Sequence, residues 1–231
     1  MAEVETALIV GAGQGLSAAL ARRCLKDGMR VALASRSGAK IAPDLLKAGA
    51  KSYRCDASKP GDVAALFDQV IRDLGVPDLV VYNASGRLRG PMTELDPAAV
   101  EQAILVSAYG DFLVGQRAAK QMLEKGRGTI LFTGASASVK GYAQSSPFAM
   151  GKFALRGLAQ SMARELAPRN IHVGHFVIDG GIAGPSHAGE DRGSDGLLDP
   201  AAIAESYLHM HRQHRSAWTW EMELRPWTEK F

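Results

Sequence analysis

Five short runs of this chain are apolar at almost every position: Ala7-Leu8-Ile9-Val10, Val31-Ala32-Leu33-Ala34, Leu79-Val80-Val81-Tyr82, Thr129-Ile130-Leu131-Phe132 and His172-Val173-Gly174-His175-Phe176-Val177. A strand with one face in water alternates apolar and polar residues. A strand without that alternation must be covered on both faces, as in a parallel sheet held between helices. Helix-length stretches at 16–27, 60–74, 97–124 and 148–167 separate the runs. This alternation predicts a doubly wound α/β fold with three α/β/α layers. The boundaries carry their own signals: Asp96 before Pro97 is a good N-cap, Pro60 suits a first helical turn, and Gly28 and Gly126 fall where helices would end.

With 231 residues and 46% hydrophobic content, the chain has enough apolar material for one sizeable core, and residues 1–231 read as a single domain. No repeat, linker or low-complexity segment interrupts it. The formal net charge of +3 is spread along the sequence, which argues against a nucleic-acid partner and against a membrane-surface helix. Cys24 and Cys55 form neither a disulfide framework nor a metal-ligand spacing, and read as buried reduced thiols. No signal-peptide pattern opens the chain and no apolar run approaches about 18 residues, which predicts a cytoplasmic protein with no membrane partner. The one long irregular stretch, 179–199, is rich in Gly, Ser and Asp. It reads as a substrate loop over about 180–199.

Directly after the first strand comes Val10-Gly11-Ala12-Gly13-Gln14-Gly15-Leu16-Ser17, opening the first helix. Glycines let the backbone turn tightly and approach a pyrophosphate, while the helix N-terminus offers free N–H donors and a positive dipole end. Gly11, Gly13, Gln14, Gly15 and Leu16 are therefore cofactor-binding candidates in a Rossmann-type fold. The second strand ends at Ser35-Arg36, with no acid to pair with the ribose hydroxyls of NAD and a guanidinium suited to a 2′-phosphate. NADP(H) is the expected cofactor, and NAD the less suited one.

These segments, together with Phe148-Ala149-Met150-Gly151-Lys152 and the helix that follows, resemble the short-chain dehydrogenase/reductase family over most of the chain, from Ala7 to about Gly184. The family loop reads Gly-x-x-x-Gly-x-Gly; Gly11 and Gly15 match its first two glycines, and Ser17 replaces the third. By resemblance, Asp56 and Ala57 approach the adenine, and Asn83, Ala84 and Ser85 match the Asn-Ala-Gly segment beside the cofactor. Gly180 and Ile182 follow the sixth strand, where the family has Pro-Gly and this chain has Asp179-Gly180. The implied function is hydride transfer between NADP(H) and a small carbonyl or alcohol substrate, in a homodimer or homotetramer.

The resemblance also exposes what is missing. The family tyrosine, a proton donor or acceptor, falls on Phe148, which has no hydroxyl. Lys152 matches the lysine that binds the nicotinamide ribose and lowers the tyrosine pKa. The family serine falls on Ala135, with Ser136 next to it, and the relay asparagine falls on Ser107. A phenol that must lose a proton near neutrality needs a nearby cation, so a cation without a phenol leaves the acid-base function unassigned. Three readings stand side by side: Tyr142 with Ser136 replaces the lost group; Lys152 or water assists hydride transfer directly; or the protein binds NADP without turnover, as a sensor or scaffold.

Other features point elsewhere. His211 and His214, three apart, would face one side of a helix, but no carboxylate or cysteine completes a metal set, and no metal is expected. The stretch from Trp218 to Trp227 alternates enough for a last edge strand. Met150, Ala154, Leu158 and Met162, at spacing four, suit either subunit packing across a twofold axis or plain core packing. Asp179 is a loop cap or a functional acid.

Overall fold

The structure is a computed structural model, and it describes residues 4–37, 41–190 and 192–229. In chain order the elements are β1 (Thr6–Val10), α1 (Leu16–Lys26), β2 (Arg30–Ser35), α2 (Pro43–Lys47), β3 (Lys51–Arg54), α3 (Pro60–Leu74), β4 (Leu79–Tyr82), α4 (Pro97–Ile104), a π-helical turn (Leu105–Tyr109), α5 (Gly110–Lys125), β5 (Gly128–Thr133), α6 (Ser146–Leu166), β6 (Ile171–Ile178), α7 (Pro200–His211) and β7 (Glu221–Leu224). The seven strands form one sheet in the order β3-β2-β1-β4-β5-β6-β7, and every neighbouring pair is parallel.

The apolar runs follow from this arrangement, because alternate residues of one strand enter two cores. Leu8 and Val10 of β1 join Val80, Tyr82, Phe132 and Leu155 under α3, α5 and α6. Ala7 and Ile9 join Leu33, Val81, Phe176 and Tyr207 under α1 and α7. The rings of Phe176 and Tyr207 stack with centroids 3.7 Å apart, and the Tyr207 hydroxyl donates to Thr133 Oγ1 at 2.9 Å. Cys24 and Cys55 are buried free thiols, each pushed up to about 12 by burial.

Two sequence expectations change in detail. The helix expected over 97–124 is interrupted by the π turn. The Tyr82 hydroxyl donates to the Val106 carbonyl at 2.5 Å, and Ser107 turns inward to Gly86. Only glycine fits at two neighbours of this turn: a Cβ on Gly110 would lie 2.5 Å from the Tyr82 hydroxyl, and one on Gly151 would lie 2.6 Å from Ser107 Cβ. The second change concerns the histidine pair. α7 ends at His211, whose Nδ1 bonds Thr129 Oγ1 at 2.9 Å, and His214 lies beyond the helix, bonded to Ser216. Among the described residues no group of three or more His, Cys, Asp or Glu is placed to hold a metal. No helix of the described residues is long and apolar enough to cross a membrane.

Asp96 caps α4 as its sequence position suggests, its carboxylate accepting from the N–H groups of Ala98 and Ala99. Asp96→Ala is expected to cost about 1 kcal/mol. A melting temperature lower by about 3 °C in a thermal scan would register that loss.

Candidate functional site

In this strand order the chain reverses direction between β1 and β4, so the loops leaving their C-terminal ends diverge and open a crevice. A cleft of about 570 Å³ lies there, walled by the β1–α1 loop, Asn83 after β4, residues 133–136 after β5, Phe148, and residues 178–187 after β6.

The glycine loop divides into two roles. Gly11 has φ +89°, and a Cβ there would lie 2.3 Å from the backbone nitrogen of Ala84. Among the described residues nothing lies within 4 Å of such a Cβ on Gly13 or Gly15, so their empty side faces space. Gly15, the N-cap of α1, makes no side-chain cap, leaving the helix's N-terminal N–H groups available. Such a cradle fits a pyrophosphate. Ser17, in place of the third family glycine, is buried and acts as a tie: its hydroxyl donates to the Gly11 carbonyl at 2.9 Å and accepts from Asn83 Nδ2 at 2.7 Å. Gln14 and Leu16 line the same cleft.

The adenosine-side candidates sit at neighbouring strand ends. Ser35 closes β2, and exposed Arg36 follows it. Asp56 follows β3; one of its oxygens accepts from the Ser58 N–H at 3.1 Å and the Ser58 hydroxyl at 2.7 Å. The Ser58 hydroxyl holds the Asp56 carboxyl below its usual range against a smaller effect of burial. Ala57 is buried, Ala84 is half-buried and Ser85 is exposed. Gly180 and Ile182 line the opposite wall of the first cleft, and a Cβ on Gly180 would lie 2.6 Å from Pro226 Cδ. The 180–199 loop, of which residue 191 lies outside the described residues, is pinned by a bridge between Ile182 and Leu198.

Phe148 stands at the inner end. The Arg87 guanidinium lies 5.3 Å from its ring centroid and the Lys152 ammonium 5.9 Å. Cations within about 6 Å of a ring's centroid are drawn to its negative face, without any hydroxyl. Burial, then neighbouring Arg89, lowers the Arg87 pKa.

Lys152 is 3% exposed and lies beneath the cleft rather than in its wall. Its ammonium donates to the Thr133 carbonyl at 2.7 Å. Nearby Asp111 is fully buried, and among the described residues neither of its carboxyl oxygens has a hydrogen-bond partner. Burial raises the Asp111 carboxyl well above its usual range and lowers the Lys152 ammonium; their mutual attraction opposes both shifts.

Ser107 does not reach the cleft. It is fully buried, its hydroxyl accepting from the Gly86 N–H at 2.7 Å, because the π turn aims it at the β4 loop. Ser136 is half-buried and lines the inner cleft together with a second, outer one of about 610 Å³. Tyr142 is 46% exposed on the outer cleft alone, with the Lys140 ammonium 5.8 Å over its ring. Asp179 is buried beside the outer cleft, paired with Lys140 at 3.8 Å and Arg225 at 3.7 Å, which suits a loop anchor.

A chain of polar groups, buried at its Ser138 and His175 end, lies behind the inner wall. The Ser138 hydroxyl lies 3.3 Å from His175 Nε2, His175 Nδ1 lies 3.0 Å from Glu221, and Glu221 accepts two bonds from Arg156 at 2.7 and 2.8 Å. Ser138 also accepts from the Ala135 N–H, fixing the turn at the inner wall. Sequence reasoning passed over Asp111, Arg87 and His175. Only Asp111 left a trace, as a single acid on an otherwise buried helix face.

A family model described as short chain dehydrogenase matches residues 5–189. Tetrahydroxynaphthalene reductase PfmaG of Pestalotiopsis fici is 32% identical over 184 residues, covering 77% of this chain and 66% of that protein. Among solved structures, a short-chain dehydrogenase from Rhodopseudomonas palustris is 32% identical with TM-score 0.84, covering 96% of this chain and 99% of that one. A metagenomic short-chain oxidoreductase in complex with NADP is 26% identical with TM-score 0.83, covering 96% and 97%. With its parallel sheet order, its glycine loop at the switch point and a family model spanning most of its length, the chain belongs to the short-chain dehydrogenase family.

Proposed function

We propose that this protein is an NADP(H)-dependent oxidoreductase that moves a hydride to or from a carbonyl or alcohol carbon. The observation that carries the reading is the inner cleft, where open Gly13 and Gly15 and an uncapped helix N-terminus face Phe148 and Ser136 across one cavity. The loop of Gly13 to Leu16 would hold the pyrophosphate, Arg36 the 2′-phosphate, and Asn83, Gly180 and Ile182 would wall the cofactor's inner half. When bound, the dihydronicotinamide supplies the hydride. The protein's own contribution is to orient both reactants, exclude water and move one proton. The family relatives named reductases and dehydrogenases, and the relative solved with NADP, support this choice.

A 231-residue domain assembled as a homodimer or homotetramer completes the reading. Exposed Tyr109, Phe112, Met150 and Phe153 on the π turn, α5 and α6 support self-association through those elements, whereas Leu158 and Met162 of the same helix pack against the core.

The cofactor choice rests on Arg36. A hydrogen bond to a charged group is worth about 1.5–3 kcal/mol, so Arg36→Ala should raise the Kd for NADPH by about 10- to 100-fold. Binding of NADH, which has no 2′-phosphate, should hardly change. Fluorescence titration of both variants with both cofactors reads this directly. Equal losses for the two cofactors would remove the NADP assignment, and no binding at millimolar NADPH would remove the oxidoreductase reading.

A further inference from the structure

The missing phenol leaves open which group gives the proton to the substrate oxygen. The inner cleft, which fits the cofactor, and the outer cleft, open to a substrate, meet at five residues that line both: Arg87, Ser136, Phe148, Gly180 and His187. The carbonyl that takes the hydride must lie at this junction, so the group that protonates its oxygen must reach it there. Phe148 and Gly180 carry no exchangeable side-chain proton. Arg87 keeps its charge in proteins and serves as a fixed cation, and a serine hydroxyl is too weak an acid to act alone. Tyr142 touches only the outer cleft. His187 is the remaining member, and an imidazole ring has one nitrogen that can give a proton and another that can accept one.

We propose that His187, oriented by Glu190, is the general acid-base residue of this enzyme in place of the absent tyrosine. The inference rests on the oxidoreductase reading above. A short 3-10 turn, Pro185–His187, presents the ring, and the Glu190 N–H returns to the His187 carbonyl at 3.2 Å, bringing both side chains to one side. His187 Nδ1 lies 2.9 Å from Glu190 Oε1, and the other Glu190 oxygen takes Arg192 at 2.7 Å. A carboxylate on Nδ1 fixes the tautomer and leaves Nε2 free to serve the reaction. The Nε2 edge faces the Gly181 backbone, and any side chain there would crowd it, since a Cβ on Gly181 would lie 3.3 Å from Nε2. With 21% of its side chain exposed, the imidazole can also recover a proton from solvent.

In the reduction, the carbonyl carbon accepts a hydride with its electron pair from NADPH, and the C=O π pair moves onto oxygen. That oxygen takes the Nε2 proton of the imidazolium, giving the alcohol, NADP+ and a neutral imidazole whose Nδ1–H stays on Glu190. Ser136 and Arg87, on the same junction, hold the oxygen as charge develops. In the alcohol direction the same imidazole takes the proton.

The test uses the full chain with NADPH and three carbonyl probes: phenanthrenequinone, diacetyl and nitrobenzaldehyde. His187→Gln should lower kcat by about 100-fold or more while the Kd for NADPH, measured by fluorescence, stays within about twofold. Added imidazole should restore turnover in His187→Gly, since the site is open to solvent. A readout without turnover is the ring NMR signal of His187, assigned by its loss in His187→Gln. It should shift when phenanthrenequinone joins the NADP+-loaded wild type and not in the absence of the quinone. Activity of His187→Gln within about threefold of wild type, or no rescue by imidazole, overturns the assignment, as does a loss that merely parallels weakened NADPH binding. A wild type that binds NADPH but reduces none of the probes removes the reductase reading and the acid with it. A wild type that turns over while His187→Gln does so equally removes only the acid.

Discussion

Gly11→Ala is expected to lower the melting temperature by about 10 °C and abolish NADPH binding, whereas Gly13→Ala should leave the melting temperature unchanged and weaken only the binding. The difference lies in what a methyl group meets. At Gly11 the backbone has φ +89°, and a Cβ would lie 2.3 Å from Ala84 N and 2.7 Å from the Asn83 carbonyl carbon. Those atoms belong to the β4 loop, whose position is set by the sheet, so neither side can yield without moving a strand end. A left-handed conformation costs an L-residue about 1–2 kcal/mol, and overpacking adds about 1–3 kcal/mol. At roughly 2–4 °C per kcal/mol for a domain of this size, the sum gives the stated shift. The displaced loop also loses the Ser17–Gly11 and Asn83–Ser17 bonds that hold the cradle. At Gly13 a Cβ meets nothing within 4 Å among the described residues, so it costs the fold little and fills space left for a phosphate. Thermal scans with NADPH titration of both variants test this. A stable Gly11→Ala that binds NADPH normally would show that the loop does not need the close approach described above.

The second large effect is acid lability from His175. Burial holds its pKa down to about 4 from the ordinary 6.5, against the weaker opposing pull of Glu221. Between those two values the unfolded chain binds a proton that the folded chain does not. The stabilisation is therefore fully present above 6.5 and is lost as the pH falls through that window toward 4. A shift of this size corresponds to a loss on the order of 3 kcal/mol. Urea unfolding between about pH 7.5 and about pH 4.5 should show stability falling steeply, and His175→Gln should be less stable at neutral pH but flatter across the range. Burial also lowers His172, so the difference between the two proteins, rather than the wild-type slope alone, isolates His175. Equal slopes would mean that His175 is charged in the folded protein, contrary to its complete burial between Ser138 and Glu221.

Much of the scaffold was legible because its causes are local. Continuous apolar runs declared strands covered on both faces, and Leu8 and Ile9 now point into opposite cores as that pattern requires. Helix α3 begins at Pro60 and ends at Leu74, where the proline and the following glycine place its ends, and the stretch from Trp218 to Trp227 contains edge strand β7. The π turn was not legible, because it is made by Tyr82 pulling on Val106, a partner 24 positions away in the chain. The histidine pair failed as a pattern for a similar reason: α7 stops at His211, whose ring is taken by Thr129 of β5.

For the site, the division follows the same physics. The amino-acid sequence alone determined the glycine loop after a strand, the basic residue after β2 and the absence of a hydroxyl at position 148, since each is a property of adjacent residues. The tertiary structure decided what surrounds that ring: Arg87 above it, Lys152 drawn beneath toward Thr133 and Asp111, and His187 with Glu190 across the junction of two clefts. These groups come from two different strand-to-helix connections, one strand end and two helices. Their distances depend on how the sheet spaces its C-terminal edge, and their protonation on how deeply each is buried, neither of which any one segment encodes.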